Sequence, residues 1–476
     1  TKKIIDCDFD DNYDIEGYFD INQTFDNPDR EFNFSLSYDY QKDNELESLD
    51  LDTTTLFQDI NGINIDLSYK HPLNEKSKVE LGYDGKINDK LEIMNFQITD
   101  VSNTFNGENT FGYKRSIHGL FLEYDYKLND KFSIKPSIRY EFVSKDISFN
   151  SIKSDANPSI LYSEILSQLD DSTYIDNYST LYPDLHFTYN VTEKQSLQFG
   201  LSKRVNRPGD GGHGGGSRQI RPFPRDVYSE NFIFMGNPFL KPEYSTQYEL
   251  SFKSPMSMGF AYVNLYYHQL ENVIEWYDDD RFDDADVLTF RNADSGENMG
   301  VEVFTMLMGQ TLGGGYNLSK LEDPSGDYEL NGNSQRITLY NRINLPEKYI
   351  KFFSFEFGFF FMKIAVPGGD LFGAKGTMWA NTAISKSLLG EAVEVSFGIK
   401  NLFDAGGFQM KRTKPLEGPF ENGYMTANEF TDVTTNRGGR TFTLNIKYRF
   451  GEMQKERESR RHGHSHDGDD SMDMGF

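Results

Sequence analysis

The chain has 476 residues, and its 48 Lys and Arg residues stand against 74 Asp and Glu residues, a formal net charge of −26. This acidic balance argues against a nucleic-acid partner, because phosphate binding needs a basic surface. The single cysteine excludes an internal disulfide framework, no stretch approaches the roughly 20 apolar residues of a spanning helix, and 40 Phe with 28 Tyr contradict disorder.

Apolar and polar residues alternate through most of the chain, which is the pattern of half-buried β-strands. No amphipathic helix of comparable clarity is present, so the predicted fold class is all-β. The alternation predicts about 17 strands, near residues 14–25, 31–41, 61–71, 78–88, 112–128, 131–144, 180–190, 195–205, 243–253, 259–274, 287–308, 311–320, 335–345, 351–364, 373–386, 391–401 and 436–450.

The connections between these strands alternate in length. Short turns are separated by long polar stretches that we predict to be loops, near 42–60, 89–111, 145–179, 206–242, 278–286, 321–334, 365–372 and 402–435. Short periplasmic turns and long extracellular loops are typical of outer-membrane barrels. A soluble β-sandwich or propeller is the alternative, but it has no reason to sort loop lengths onto one end.

The sequence therefore predicts a transmembrane antiparallel β-barrel over residues 1–450, in the bacterial outer membrane. Its apolar side chains would face outer-membrane lipid, and its polar side chains would line a wet lumen. Residues 451–476 follow the last strand, and their His- and Asp-rich composition predicts a disordered periplasmic tail.

Several short motifs carry a family resemblance. The segment RVNRP at 204–208 is followed by GNPFLKPE at 236–243, MGVE at 299–302 and NLFD at 401–404. Together they resemble the signature of TonB-dependent outer-membrane receptors, most closely the Bacteroidota type with an outer membrane protein β-barrel domain. The resemblance covers about residues 60–450.

The resemblance implies a 22-stranded barrel filled by an N-terminal plug that couples to the TonB–ExbB–ExbD system. Nothing in the sequence reads as a plug, because barrel alternation already begins within the first 60 residues. Bacterial single-chain barrels have even strand numbers, so an odd count predicts that at least one strand lies upstream. The 22 strands that the resemblance implies further predict that the plug and about five strands (22 − 17) lie upstream. The implied ligand is an extracellular small molecule (siderophore, vitamin, glycan or peptide), with a surface lipoprotein as a further possible partner and no cofactor.

Loops on a rigid barrel are well placed to contact a substrate. The candidates in the motif region are Asn206, Arg207, Arg218, Arg221 and Asn237. The alternative, which we favour, is that the motif residues only shape the loop through Pro and Gly-Asn-Pro turn chemistry.

Other motifs have simpler explanations. Gly209, Gly211 and Gly214 match a dinucleotide-binding spacing, but no helix pattern follows them, so a flexible loop is favoured. The acidic run at 278–286 lacks calcium-loop spacing and is predicted to be a solvated loop. In the tail, His462, His464 and His466 could ligate a divalent metal, but we predict no functional metal site there.

Two functions remain open from the sequence. The first is the barrel of a TonB-dependent receptor for active uptake of a nutrient; the alternative is a non-transporting barrel that acts as a scaffold in a surface or secretion complex. Catalysis is not expected, because neither a GxSxG elbow nor an HExxH zinc motif is present.

Overall fold

The computed structural model describes residues 6–49, 52–99, 104–153, 172–209, 219–223, 232–256, 259–278, 286–307, 310–322, 333–344, 353–363, 365–366, 369–370, 377–389, 392–404, 407–415, 428–436 and 439–448. Its regular elements are β-strands, which confirms the predicted all-β class. Within those ranges, no helix is long and apolar enough to cross a membrane.

Seventeen long strands form the wall, which confirms the predicted strands. They are β1 (Asp6–Thr24), β2 (Glu31–Leu49), β3 (Asp52–Asn74), β4 (Ser77–Thr99), β5 (Thr104–Lys127), β6 (Phe132–Lys153), β7 (Ser172–Asn190), β8 (Ser196–Asn206), β10 (Glu243–Met256), β11 (Gly259–Asp278), β12 (Asp286–Leu307), β13 (Gln310–Glu322), β14 (Asn333–Asn344), β15 (Phe353–Lys363), β18 (Thr377–Leu388), β19 (Val393–Lys400) and β22 (Thr441–Tyr448). Each pairs antiparallel with the next long strand along the chain.

Five shorter strands lie in the long connections: β9 (Phe232–Phe234), β16 (Ala365–Val366), β17 (Gly369–Asp370), β20 (Gly407–Pro415) and β21 (Asn428–Asn436). Strand β9 joins β12 in parallel, while the other four form a small separate sheet. Among the described residues, β1 pairs only with β2, and β22 pairs only with β19. The described wall therefore has two free edges.

Local side-chain chemistry fixes several of the short turns. The side chains of Asn27, Asn74 and Asn129 each accept a hydrogen bond from the backbone N–H two residues later, at 3.0, 2.9 and 2.9 Å. Such Asx turns replace the interstrand ladder where the chain reverses. The end of the wall that carries these turns is called the short-turn end below, and the opposite end the long-loop end.

Three predicted loops are wrong. Within 42–60, 89–111 and 145–179, the described residues belong to strands, because β2 to β7 continue far past the predicted boundaries. In β6, Tyr140 and Phe142 point outward and are about half exposed, whereas Val143 and Ile147 point inward and are fully buried. The apolar residues thus change from the outer to the inner face partway along the strand. This change breaks the alternation of apolar and polar residues, so the sequence pattern predicts an end of the strand where the strand continues. The predicted loops at 365–372 and 402–435 likewise contain β16, β17, β20 and β21.

Apolar side chains therefore form two separate sets. An exposed set lies on the outer face toward the short-turn end and includes Leu81, Leu120, Leu122, Ile138, Tyr140, Phe142 and Leu181. A buried set lies on the inner face toward the long-loop end and includes Leu56, Met94, Phe96, Phe111, Tyr113, Val143, Ile147 and Phe149. The buried set packs around the functional site.

Candidate functional site

The connection between β8 and β10, residues 207–242, folds against the inner face of the wall; we call it the mouth loop. The structure describes its residues 207–209, 219–223 and 232–242. The loop leaves β8 through a turn at Gly209, whose φ is 88°. A Cβ atom there would lie 2.9 Å from the side chain of Ile220, so both the backbone conformation and the space require glycine.

Backbone hydrogen bonds join the two arms of the mouth loop. The N–H groups of Gly236 and Asn237 donate to the carbonyl oxygens of Arg221 and Gln219, both at 2.7 Å. The Gln219 side chain, 1% exposed, accepts from the Gly209 N–H at 3.3 Å. The described segments of the loop therefore form one connected unit.

An apolar seal holds this unit against strands β3 to β6. Ile220 and Phe223 are 0% and 2% exposed, and they join one hydrophobic cluster with inward residues of those strands. The rings of Phe223 and Phe149 meet edge to face, with centroids 6.1 Å apart. Burying a side chain of this size contributes about 1.5–3 kcal/mol, so the two residues fasten the loop firmly.

A buried ion pair lies beside the seal. The Arg221 Nη1 atom donates to Glu92 Oε2 at 3.1 Å, and Glu92 Oε1 receives Lys90 Nζ at 2.6 Å and Gln58 Nε2 at 3.1 Å. Glu92 lies 15 residues beyond the start of β4, further than the roughly 9–11 residues that cross a bilayer. Burial alone would raise the pKa of the Glu92 carboxyl, but Arg221 and Lys90 outweigh it and hold that pKa below its ordinary value.

The GNPFLKPE motif anchors the other side of the loop. The Asn237 side chain accepts from the Phe239 N–H and donates to the Phe290 carbonyl of β12, both at 2.9 Å. Glu243 accepts the Ile274 N–H of β11 at 2.8 Å. Since β12 lies seven strands beyond β4 in the sheet, one loop contacts two distant parts of the wall, and the sheet must curve around it.

A group of cationic side chains, on the mouth loop and on the wall beneath it, links the two. Arg207 donates to Glu141, and also to the Tyr182 hydroxyl at 3.4 Å. Lys145, only 4% exposed, donates to the Leu240 carbonyl at 3.1 Å and lies 3.6 Å from the Asp176 carboxylate. Burial lowers the pKa of the Lys145 ammonium, and Asp176 opposes that shift only in part.

The structure places the candidate contact residues in different settings. Arg207 and Arg221 form ion pairs with the wall, and Asn237 belongs to the loop's own framework. Asn206 ends β8 opposite Glu243, and its buried Nδ2 atom has no hydrogen-bond partner among the described residues. The remaining candidates, Arg218 and the three tail histidines, lie outside the described residues, as does most of the acidic run.

Sequence reasoning missed Glu92, the partner of Arg221, and Lys145, which donates to the mouth loop. Both lie in stretches that the alternation predicts to be loops, although each occupies an inward position of a strand. The only available signal was a charged residue at an alternating position between buried apolar residues.

Comparison with known proteins supports the architecture. A model of the outer membrane protein beta-barrel family matches residues 18–448. Among curated proteins, none gives a significant match to the chain. The fold is similar to that of the ferric yersiniabactin uptake receptor FyuA from Yersinia pestis, with a TM-score of 0.59 at 12% identity, covering 92% of this chain and 61% of the receptor.

Two further solved structures show the same fold. The siderophore receptor PiuA from Acinetobacter baumannii has a TM-score of 0.59 at 12% identity and covers 93% of this chain and 65% of its own. The ferric citrate transporter FecA has a TM-score of 0.55 at 12% identity, with coverages of 91% and 61%. The chain thus spans less than two thirds of the length of each of these proteins.

Proposed function

The chain belongs to the outer membrane protein beta-barrel family, and from this premise we propose that it forms the barrel of a receptor for active nutrient uptake. The observation that carries the proposal is the mouth loop, which is pinned across the inner face of the wall by Ile220, Phe223 and the Arg221–Glu92 pair. A barrel that only serves as a scaffold has no need for a loop folded into its lumen. The similar solved proteins are named as uptake receptors or transporters, which supports the same reading.

In this proposal the long-loop end faces the cell exterior and the short-turn end faces the periplasm. Residues 1–450 form the barrel in outer-membrane lipid, and residues 451–476 form a periplasmic tail. A small-molecule ligand enters at the long-loop end, and energy for its release comes from the TonB–ExbB–ExbD system through a plug. A surface lipoprotein could deliver the ligand to the loops.

The ligand would meet the candidate residues as the mouth loop moves. Arg207 and Arg221 each hold a wall carboxylate that an incoming acidic group can replace. The Asn206 Nδ2 atom is buried with no hydrogen-bond partner in the described part of the chain, and it can donate to a ligand. Asn237 keeps its framework role in this scheme, and Arg218 remains a candidate from the sequence alone.

Uptake by a strain that lacks the gene for the full-length protein tests the proposal. Labelled ferric chelates, cobalamin, oligosaccharides and peptides are supplied one at a time, and uptake is compared with that of the complemented strain. We expect loss of uptake for one ligand class and its restoration by the wild-type gene. Unchanged uptake of every ligand, together with loss of a surface complex, would instead favour the scaffold.

A further inference from the structure

We propose that the outer face of the wall, at its short-turn end, binds the phosphate group of a phospholipid through the guanidinium group of Arg30. The inference goes beyond the proposed function, because it concerns the lipid around the barrel and not the ligand taken up through it. It requires only that the outer face contacts a bilayer.

Arg30 lies where the exposed apolar surface of the outer face ends. It closes the short turn between β1 and β2, and its Nε atom donates to the Tyr69 hydroxyl of β3 at 2.7 Å. Tyr69 pairs with Leu81 of β4, and it points to the same face as Leu67, which is two residues further along β3. Both leucines are exposed. Exposed apolar surface therefore begins within about 7 Å of Tyr69, at roughly 3.3 Å per residue.

Aromatic side chains occupy the same level of the outer face on neighbouring strands. The rings of Tyr124 and Tyr126 stack with their centroids 6.0 Å apart, and the rings of Phe132 and Tyr189 stack at 4.7 Å. Aromatic girdles of this kind lie at the headgroup level of outer-membrane barrels. Arg30 thus lies at the depth where the phosphate groups of a lipid leaflet are found.

Aromatic contacts hold the guanidinium group in one orientation. Its central carbon lies 4.4 Å from the ring centroid of Phe25 and 5.7 Å from that of Tyr69. The Tyr69 hydroxyl, which accepts from Arg30, also lies 3.2 Å from the Nδ1 atom of His71, and the two rings stack. These contacts fix the side chain without neutralising its charge, so less conformational entropy is lost when a ligand binds.

The two terminal nitrogens of Arg30 are available to a ligand. Among the described residues, no carboxylate lies within 4.0 Å of the guanidinium nitrogens, those of Asp26 and Asp29 in the same turn included. The next residue, Glu31, points to the inner face, where its carboxylate lies 3.7 Å from Lys70 Nζ. A guanidinium group with both terminal nitrogens available matches phosphate oxygens and binds them through two parallel hydrogen bonds.

A phospholipid satisfies both parts of this site. Its phosphodiester group can accept from Arg30, while its acyl chains cover the exposed apolar surface beside Tyr69. A free phosphate ion fits only the first part, and a diacylglycerol fits only the second. If Arg30 merely extended its charged head into water, as long cationic side chains do at membrane interfaces, the site would show no preference for phosphate.

Native mass spectrometry of the full-length protein, delipidated in a nonionic detergent, tests the inference. Dioleoyl phosphatidylglycerol and dioleoyl phosphatidylethanolamine are compared with dioleoylglycerol, which has the same acyl chains and no phosphate. We expect one phospholipid molecule to be retained with an affinity on the order of tenfold above that of dioleoylglycerol. Excess glycerol 3-phosphate should not displace it. Equal retention of dioleoylglycerol overturns the inference, and so does displacement by glycerol 3-phosphate, which would show a site for free phosphate.

Variants locate the site. Arg30→Gln should weaken retention of phosphatidylglycerol on the order of tenfold, and Arg30→Lys should restore only part of it, because lysine lacks the paired donors. Lys131→Gln is the matched control, since it removes the same charge from an exposed residue in another short turn. Equal retention by Arg30→Gln and Lys131→Gln overturns the inference. Heat-modifiable gel mobility verifies folding. If Arg30→Gln does not fold, Tyr69→Phe replaces it in the comparison, because it keeps the ring and removes the acceptor that orients Arg30.

Discussion

A single carboxylate, Glu92, connects the wall of the barrel to its mouth loop. It accepts hydrogen bonds from Gln58 of β3, from Lys90 of its own strand and from Arg221 of the loop, while remaining 2% exposed. Because all of these donors converge on one group, the protonation state of Glu92 controls how firmly the loop is held.

Acid should therefore release the mouth loop. The pKa of Glu92 is lower in the folded protein than its ordinary value of about 4.3. The ion pair therefore stabilises the docked loop fully above that ordinary value, and this stabilisation is lost as the pH falls through the folded pKa. We expect hydrogen exchange of the Gly236 and Asn237 amides, which are bonded to the Arg221 and Gln219 carbonyls, to accelerate steeply below about pH 4. The rate is normalised to exchange of a free peptide of the same sequence, which corrects for the pH dependence of exchange itself.

Glu92→Gln should remove that dependence. The variant leaves Arg221 and Lys90 without their carboxylate, which costs about 3–5 kcal/mol, so the Gly236 and Asn237 amides should exchange readily across the whole pH range. Asp89→Asn is the control, because Asp89 is 46% exposed and pairs only with the exposed Lys114. A pH step that persists in Glu92→Gln would show that another group holds the loop.

The apolar seal can be tested separately from the ion pair. Phe223→Ala should destabilise docking of the loop by about 3–5 kcal/mol, because it leaves a cavity in the cluster around Phe149. Hydrogen exchange of the Gly236 and Asn237 amides at neutral pH should then accelerate on the order of 100-fold, since exchange requires local opening of the loop. Phe239→Ala removes a ring that is 54% exposed and should change the rate much less. Equal effects of the two substitutions would contradict the seal.

At the scale of the strand, alternation decides what a sequence can reveal. The 17 long strands were predictable because apolar residues recur at alternate positions along them. The ends of these strands toward the long-loop end were not predictable. There the outer face meets water instead of lipid, and the inner face packs against the mouth loop instead of lining a wet lumen. In β5, the outward residues change from Leu120 and Leu122 to Lys114 and Ser116, while the inward side gains Phe111 and Tyr113.

Only the mouth-loop half of the candidate site was predictable from the sequence. Turn residues marked the mouth loop, and Arg207 and Arg221 stood out there as cations. Their partners, Glu141 and Glu92, are ordinary polar residues of strands until the fold places them beneath the loop. The Arg207–Glu141 contact joins residues 66 positions apart, and the Arg221–Glu92 contact joins residues 129 positions apart. Both contacts depend on the register of several strands, which one sequence does not display.

We expect substitutions that change charge on the outer and inner faces of one strand to have different effects on membrane insertion. Leu120 is 60% exposed on the outer face of β5, and Leu120→Arg should oppose insertion by about 2–4 kcal/mol near the bilayer midplane. Glu123→Gln changes an inward side chain of the same strand that pairs with Lys135, and it should be tolerated. Refolding into lipid vesicles, followed by heat-modifiable mobility, measures both. Equal yields would refute the assignment of the outer face to lipid.

At the scale of the whole molecule, the longest strands of the wall are much longer than a bilayer crossing requires. Strand β5 has 24 residues, which rise about 60 Å at roughly 3.3 Å per residue and a tilt of about 40°. An apolar band is only about 25 Å tall, so more than half of such a strand must project from the membrane. The mouth loop, its seal and the cationic group therefore lie in the projecting part of the wall, beyond the exposed apolar set.

Labelling of intact cells can test which side of the membrane this projection occupies. In a Cys7→Ser background, Lys114→Cys lies on the outer face toward the long-loop end, and Asp130→Cys lies in the exposed short turn between β5 and β6. A membrane-impermeant maleimide should modify the first in intact cells and the second only after the outer membrane is permeabilised. The reverse pattern would place the mouth loop in the periplasm, and a ligand arriving from outside could then not meet it first. The receptor proposal would fail on orientation alone, even with every strand of the fold in place.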